Sequence, residues 1–383
     1  MNETLIDMSR PEIPLSKRPF ITWRMSQFLE YTIPENQHIL GDGYLQRGQW
    51  TSLVGVGGLG KTRATLWLCI CTILGQDWLG IPTHCAGARV LFLSTENGAV
   101  RWKNDLSRMS EGMTEAQKAT LNECLFILSL DGGGDDDDAD PSLSMADPVS
   151  VGRLQATMEA VNPDIIVVDP LADMVGGDEN SAEAMGECLR AIRRCQRLAA
   201  PRAGGVMIHH ARTGAANVIQ AGDNFNAGNF GRGSKALYSA VRCEIQMAPG
   251  DKEDNTRLVV TCGKSNDAPK FSSRGVIFDT ASFRYAVDPL WSIDDWRAAV
   301  SGQASGMTLA DMLRAIRPLF SGLGCDVTKG AIEAALAGFE PTETTLKRRL
   351  REAIKAGYLR TEERGHYGLG NKPFTATAKA KGQ

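Results

Sequence analysis

The sequence predicts an α/β chain, a mostly parallel β-sheet with helices on its faces, followed by a small domain of three helices and a hairpin. From Gln49 onwards, short apolar runs alternate with helical patterns, which is how parallel strands joined by crossover helices read. Gly55, Val56, Gly57, Gly58, Leu59, Gly60, Lys61 and Thr62 fit the pattern G-x-x-x-x-G-K-[ST] between a strand-like and a helix-like stretch. After residue 306 the periodicity becomes that of amphipathic helices.

Taken in order, residues 1–47 form a Pro-containing lead-in in which 21–29 read as a short helix. Residues 51–54 are the first strand of a domain over 48–290. The glycines after it let the chain curl so that several backbone N–H groups meet one phosphate. Lys61 adds a point charge for the β- and γ-phosphates, and the Thr62 hydroxyl is placed to ligate Mg²⁺ as the helix over 63–74 begins. With Leu66, Trp67, Leu68, Ile70, Ile73 and Leu74 covering nearly every face, that helix belongs inside the domain. Further strands are expected at 89–93, 125–130, 164–168, 206–209, 243–247, 258–262 and 275–278. The acidic stretch 131–147, with Asp135 to Asp138, reads as a solvated loop, because a Ca²⁺ loop needs alternating ligands and a terminal glutamate.

Several candidate residues fall at the carboxyl ends of these strands, where open α/β sheets bind ligands. Asp169 ends the run Ile165-Ile166-Val167-Val168 and is the candidate for the Mg²⁺ shell opposite Thr62. Glu96 follows the strand at 89–93 and is the candidate to polarise the water that attacks the γ-phosphate, a helix N-terminal glutamate being the plainer alternative. His209 and His210 end the strand at 206–209; side chains alternate along a strand, so at most one faces the nucleotide while the other packs, and the residues alone do not choose between them. The Gly- and Asn-rich stretch 211–232 is long for a connection and carries Arg212, Phe225, Phe230 and Arg232, suited to phosphates and bases of single-stranded DNA or to no partner. Arg242 begins the next strand as either an arginine finger or a salt-bridge residue.

A formal charge of −3 is too small to announce a nucleic-acid or membrane partner for the whole molecule, so such a partner must be met by a local patch. Nine cysteines with no C-x-x-C pair or zinc-type spacing read as reduced, buried thiols. There is no N-terminal h-region and no bilayer-length apolar run, so a cytoplasmic protein without a membrane partner is expected.

Together these motifs resemble the RecA-like ATPases of the RepA type, the ring-forming replicative helicases of plasmids and mobile elements. The resemblance covers residues 41–269 and rests on the phosphate loop, Ser94-Thr95-Glu96, Val167 to Leu171, Asp178-Glu179-Asn180, His209-His210, Arg232-Gly233-Ser234, Arg242 and Lys264-Ser265-Asn266. It implies ATP and Mg²⁺ as cofactors and a homo-oligomer, a hexamer with ATP between subunits. Glu96 would then be the catalytic carboxylate, Asp169 the metal-site aspartate, His210 the γ-phosphate sensor and Arg242 a finger acting in trans. Asn97, Thr213 and Asp267 depart from the family's usual residues, which bears on DNA contacts more than on the ATPase core.

Residues 291–306 read as a linker and 371–383 as a tail. Between them, Thr308 with Asp311 forms a capping-box pattern for a first helix, a second is expected at 328–336, and a third at 342–356 buries Leu346, Leu350 and Ile354. The third presents Lys347, Arg348, Arg349, Arg351 and Lys355 outwards, and with a hairpin at 358–369 the set resembles a winged helix. Arg348, Arg351 and Lys355 are the candidates for duplex DNA, a solvated helix face or a subunit contact being the plainer alternative. The resulting expectation is an ATP-hydrolysing DNA translocase, a ring-forming helicase; the alternatives are an ATP-switched DNA-binding regulator and a RecA-type recombination ATPase.

Overall fold

The computed structural model describes residues 22–129, 143–211, 235–251, 254–289, 291–300, 307–320, 327–361, 363 and 365–372. The chain divides into two units, Met1–Gln37 and His38–Gln383. In the first, helix α1 (Met25–Glu30) starts later than the expected 21–29, and Gln27 Oε1 accepts from the Arg24 N–H at 2.8 Å. The Trp23 ring meets Phe28 and Tyr31 at 5.2 and 5.7 Å.

The second unit opens with β1 (His38–Leu40) and β2 (Leu45–Gln46), an antiparallel pair that sequence reading had placed in the lead-in. Its Ile39, Leu40 and Leu45 are buried in the core of the large sheet, so the sheet domain begins about ten residues earlier than expected. At the centre of that sheet, β3 (Trp50–Gly55) runs parallel to β7 (Gly204–His210) and to β8 (Cys243–Pro249). Outward from β7 come β6 (Ile165–Asp169), β4 (Val90–Ser94) and β5 (Leu125–Ser129), all parallel. Beyond β8, β9 (Arg257–Ser265), β10 (Arg274–Phe278) and β11 (Tyr285–Val287) pair antiparallel. Among the described residues the order is β11-β10-β9-β8-β3-β7-β6-β4-β5.

Parallel strands are covered on both faces, and the alternation of side chains divides the core accordingly. Val90, Phe92, Ile165 and Val167 face the helices α2 (Lys61–Ile73), α3 (Ala99–Met109) and α4 (Glu115–Cys124). Leu91, Leu93, Ile166 and Val168 face α5 (Pro148–Val161), α6 (Ala182–Ala199) and α7 (Lys235–Ala240). α2 is buried all round, as its apolar faces require. Asp147 caps α5 by accepting from the Val149 and Ser150 N–H groups, with Pro148 in the first turn, and the Ser181 hydroxyl caps α6.

The stretch expected to be a linker holds helix α8 (Ile293–Val300). Its Trp296 is buried against Val54, Ala211, Ala248 and Val259, and its indole N–H donates to Pro249 O at 2.8 Å. Further on lie α9 (Leu309–Ile316), β12 (Val327–Thr328), α10 (Lys329–Ala335), α11 (Glu343–Lys355), β13 (Leu359–Thr361) and β14 (His366–Leu369), with strand order β12-β14-β13. The Thr308–Asp311 capping box is present. Arg349 departs from the outward-facing basic set: it is 1 % exposed, because its position shares a helical stripe with Leu346, Leu350 and Ala353. Its guanidinium donates to Met307 O (2.9 Å), to Glu352 (2.8 Å) and to Asp295 of α8. Arg348, Arg351 and Lys355 are exposed.

Glu244, on β8, is buried with its Oε1 accepting from Gln246 Nε2 at 2.7 Å. Burial pushes its carboxyl up to about 7, against the opposing pull of that hydrogen bond and of Lys264 and Lys270. Between its ordinary value and about 7 the folded chain holds a proton that the unfolded chain has released, so stability falls as pH rises through that window and then levels off. Glu244→Gln is therefore expected to stabilise the protein at pH 8 by on the order of 2 kcal/mol, with the gain vanishing towards pH 4.5. Thermal melts at both ends of the range check it; a variant that melts lower than the parent at pH 8 would show a useful buried charge instead.

Candidate active site

The strand order sets β3, β7, β6 and β4 side by side, so their carboxyl ends form one edge. Register places Gly55 opposite His210 and Ser94 opposite Asp169. The phosphate loop leaves β3 there and enters α2 through Gly60 in a left-handed conformation (φ +75°). A side chain at Gly60 would bring its Cβ to 2.5 Å from Tyr285 Oη, whereas at Gly57 and Gly58 a Cβ would meet nothing within 4 Å. The loop is thus backed by protein at one end and open where phosphates would lie.

Lys61 is buried, and its Nζ donates to Val56 O at 3.0 Å and lies 3.3 Å from His210 Nδ1. Burial holds the ammonium down at about 8, with Asp169 and Glu96 opposing. Of the two histidines, His210 faces this site and is half-buried, while His209 is buried on the opposite face of β7. His210 Nε2 is 3.8 Å from Glu96 Oε1. Burial, then the neighbouring Lys61, holds the imidazole below its ordinary value, which favours the neutral ring. With the ammonium donating to Nδ1, the ring proton belongs on Nε2, towards Glu96.

Asp169 is 1 % exposed, and its Oδ2 has no hydrogen-bond partner. Burial pushes its carboxyl up to about 7, opposed by the hydrogen bond with the Thr62 hydroxyl. An orphaned buried carboxylate oxygen next to a hydroxyl is a fitting donor pair for a hard cation. Asp169 and Thr62 are the donors that the described residues bring together here, and phosphate and water would complete the shell of a bound Mg²⁺.

The remaining predicted site residues lie elsewhere. Arg242 stands at the amino end of β8, where its N–H donates to Trp50 O, at the far end of β3 from Gly55. Its guanidinium is paired bidentately with Asp267 at 2.5 and 3.1 Å, and Asp267 also accepts from Gln46. Arg212 and Arg232, with most of the stretch 211–232, and the aspartates 135–138 lie outside the described residues.

Four supporting residues escaped sequence reading. The Tyr285 hydroxyl donates to Gly60 O at 2.9 Å, across 225 positions, which no local pattern announces. Arg63 grips Asp105 with two 3.0 Å hydrogen bonds and lies 4.2 Å from the Phe283 ring. Arg101 reaches Asp105 at 3.6 Å, an i,i+4 pair visible in the sequence. The Asp105 carboxylate therefore ties α3 to the first turn of α2.

Among the described residues no helix is long and apolar enough to cross a membrane. Comparison with curated proteins gave no match. A family profile described as an AAA domain matches residues 14–216, more than half of the chain. That span contains the phosphate loop, Glu96, Asp169 and His210 on one mostly parallel sheet, and the chain belongs to this AAA-domain family of P-loop ATPases.

Proposed function

We propose that this chain is an ATP-hydrolysing DNA translocase that acts as a ring, a helicase of the RepA type. The observation that carries the reading is the meeting of Glu96 and His210, 3.8 Å apart, beside Lys61 at the mouth of the phosphate loop. A loop that only held nucleotide would need Lys61 and Thr62; a carboxylate and a neutral imidazole facing each other add the means to handle a proton. The loop amides and Lys61 bind the phosphates, Glu96 accepts the proton of the attacking water, and His210 hydrogen-bonds the γ-phosphate through its Nε2–H. Thr62 and Asp169 would hold Mg²⁺, which when bound neutralises phosphate charge.

Work on DNA is supported by the ordered motifs that resemble RepA-type helicases, and by the exposed Arg348, Arg351 and Lys355 on α11. The three helices and hairpin around α11 fit a winged helix, which would meet duplex DNA through those three side chains. That same basic face favours a second reading, a regulator whose ATP site switches duplex binding. Turnover with and without single-stranded DNA, together with displacement of a strand from a tailed duplex, tests the proposal. Stimulated turnover with displacement supports a helicase; preference for one duplex sequence without displacement supports the regulator.

Glu96→Gln is expected to leave nucleotide affinity unchanged and to lower turnover about a hundredfold, the usual contribution of a positioned base. Phosphate release and fluorescent-nucleotide titration read the two separately. Full turnover in the variant would remove Glu96 from the proton path.

A further inference from the structure

Between α5 and α6, on the face of the sheet away from α2, lies a groove of about 690 Å³ that none of the residues around the phosphate loop lines. Its floor is aliphatic and sulfur-bearing: Met145, Pro148, Val151 and Cys195. Its rim is Arg190, Arg194 and Arg197, which the spacing i, i+4, i+7 sets on one face of α6. Arg190 has Glu187 at 4.0 Å, while Arg194 and Arg197 are exposed and make no ion pair among the described residues. Leu198, on the groove wall, is 59 % exposed, and Val149, next to Pro148, is 67 % exposed.

Exposed arginines around an apolar trough, two of them with no ion pair among the described residues, define a complementary ligand, one with apolar side chains on one side and carboxylates along its edges. We propose that this groove docks an acidic amphipathic segment of a partner protein. A nucleic acid suits it less, since the floor offers no aromatic ring on which a base could stack. The chain's own run Asp135 to Asp138 also suits it less: residues 131–142 contain no large apolar side chain to fill the floor. The spacing of the arginines matches carboxylates one helical turn apart, so a helix with leucines on its buried face is the expected form.

A fluorescein-labelled synthetic helix of leucine and glutamate at that spacing, titrated by anisotropy into the full chain, is the test. The double substitution Arg194→Glu with Arg197→Glu changes two exposed, unpaired side chains and is expected to weaken the peptide at least about tenfold while ATP turnover stays at the parent's rate. Leu198→Ser is expected to weaken it as well, which a purely electrostatic attraction would not show. The proposal is overturned if the double variant binds the peptide as the parent does. It is equally overturned if oligo-dT displaces the peptide and loses affinity in the same variants, since the surface then takes phosphates. Binding that appears only after Asp135 to Asp138 are changed to Asn would assign the groove to the chain's own acidic run. A fall in sedimentation weight on the double substitution would assign it to a second copy.

Discussion

Lys61→Met is expected to abolish measurable ATP turnover, a loss on the order of a thousandfold or more, and to weaken nucleotide binding by about two orders of magnitude. The side chain is the one cation that the loop itself carries, and the next cation along the chain, Arg63, is engaged with Asp105. The variant makes a second prediction that separates lost chemistry from lost structure. Burial holds the Lys61 ammonium down at about 8, so at neutral pH the folded chain carries a charge that the surroundings resist. For a depressed lysine, stability is complete above its unfolded value and declines as pH falls through the folded one. Replacing it with a neutral side chain of similar length should therefore stabilise the nucleotide-free protein at pH 7 by on the order of 2 kcal/mol, seen as a higher melting temperature, with the difference closing as pH approaches 10.5. Calorimetry without nucleotide and turnover with it are the two measurements. A variant that turns over ATP normally would exclude the loop as the site of hydrolysis.

Arg242→Ala is expected to spare nucleotide binding and to cut turnover about a thousandfold, the scale of an arginine supplied in trans. The argument is one of position. Arg242 is level with Trp50, at the opposite end of β3 from Gly55. The five steps of strand from Trp50 to Gly55, at about 3.3 Å each, put roughly 17 Å between Arg242 and its own phosphate loop. On the proposed ring reading that position suits a neighbour's nucleotide rather than its own, and a finger would first have to release Asp267. Asp267→Asn should accordingly leave a finger intact or freer, while Arg242→Ala removes it. Mixing experiments give the decisive readout: inactive Lys61→Met chains, which still carry Arg242, should restore turnover to Arg242→Ala chains. If Arg242→Ala alone keeps full turnover, the pair with Asp267 is structural and the shared-site reading fails.

The phosphate loop was legible in the sequence because its chemistry depends on fixed spacing along one stretch of chain. The same holds for Asp169, which ends a run of four β-branched residues and so had to emerge at a strand's edge. The choice between His209 and His210 was not legible from alternation, which says that they point apart but not which sheet face the loop adjoins. Sheet pairing supplies that answer by aligning His210 with Gly55. Arg349 could have been read correctly: it lies three residues after Leu346 and four before Ala353, on the stripe that packs, and the run of neighbouring cations hid it. Tyr285 and the bonding of Arg242 to Asp267 depend on which distant strands become neighbours, information that no local period carries. α8 was missed because its eight residues are too short for a period to stand out against the surrounding polar sequence.

Trp296 and Arg349 have a bearing on how the C-terminal segment is dissected. Shortening the chain to end before Ile293 would withdraw an indole from beside Val54 and Ala211, the residues immediately preceding the phosphate loop and following His210. Ending it after Val300 would keep the indole but strip Asp295 of its guanidinium. Truncation phenotypes in this region will therefore include damage to the sheet domain itself, whereas point substitutions at Arg348, Arg351 and Lys355 on the exposed side of α11 leave Trp296 and Arg349 in place.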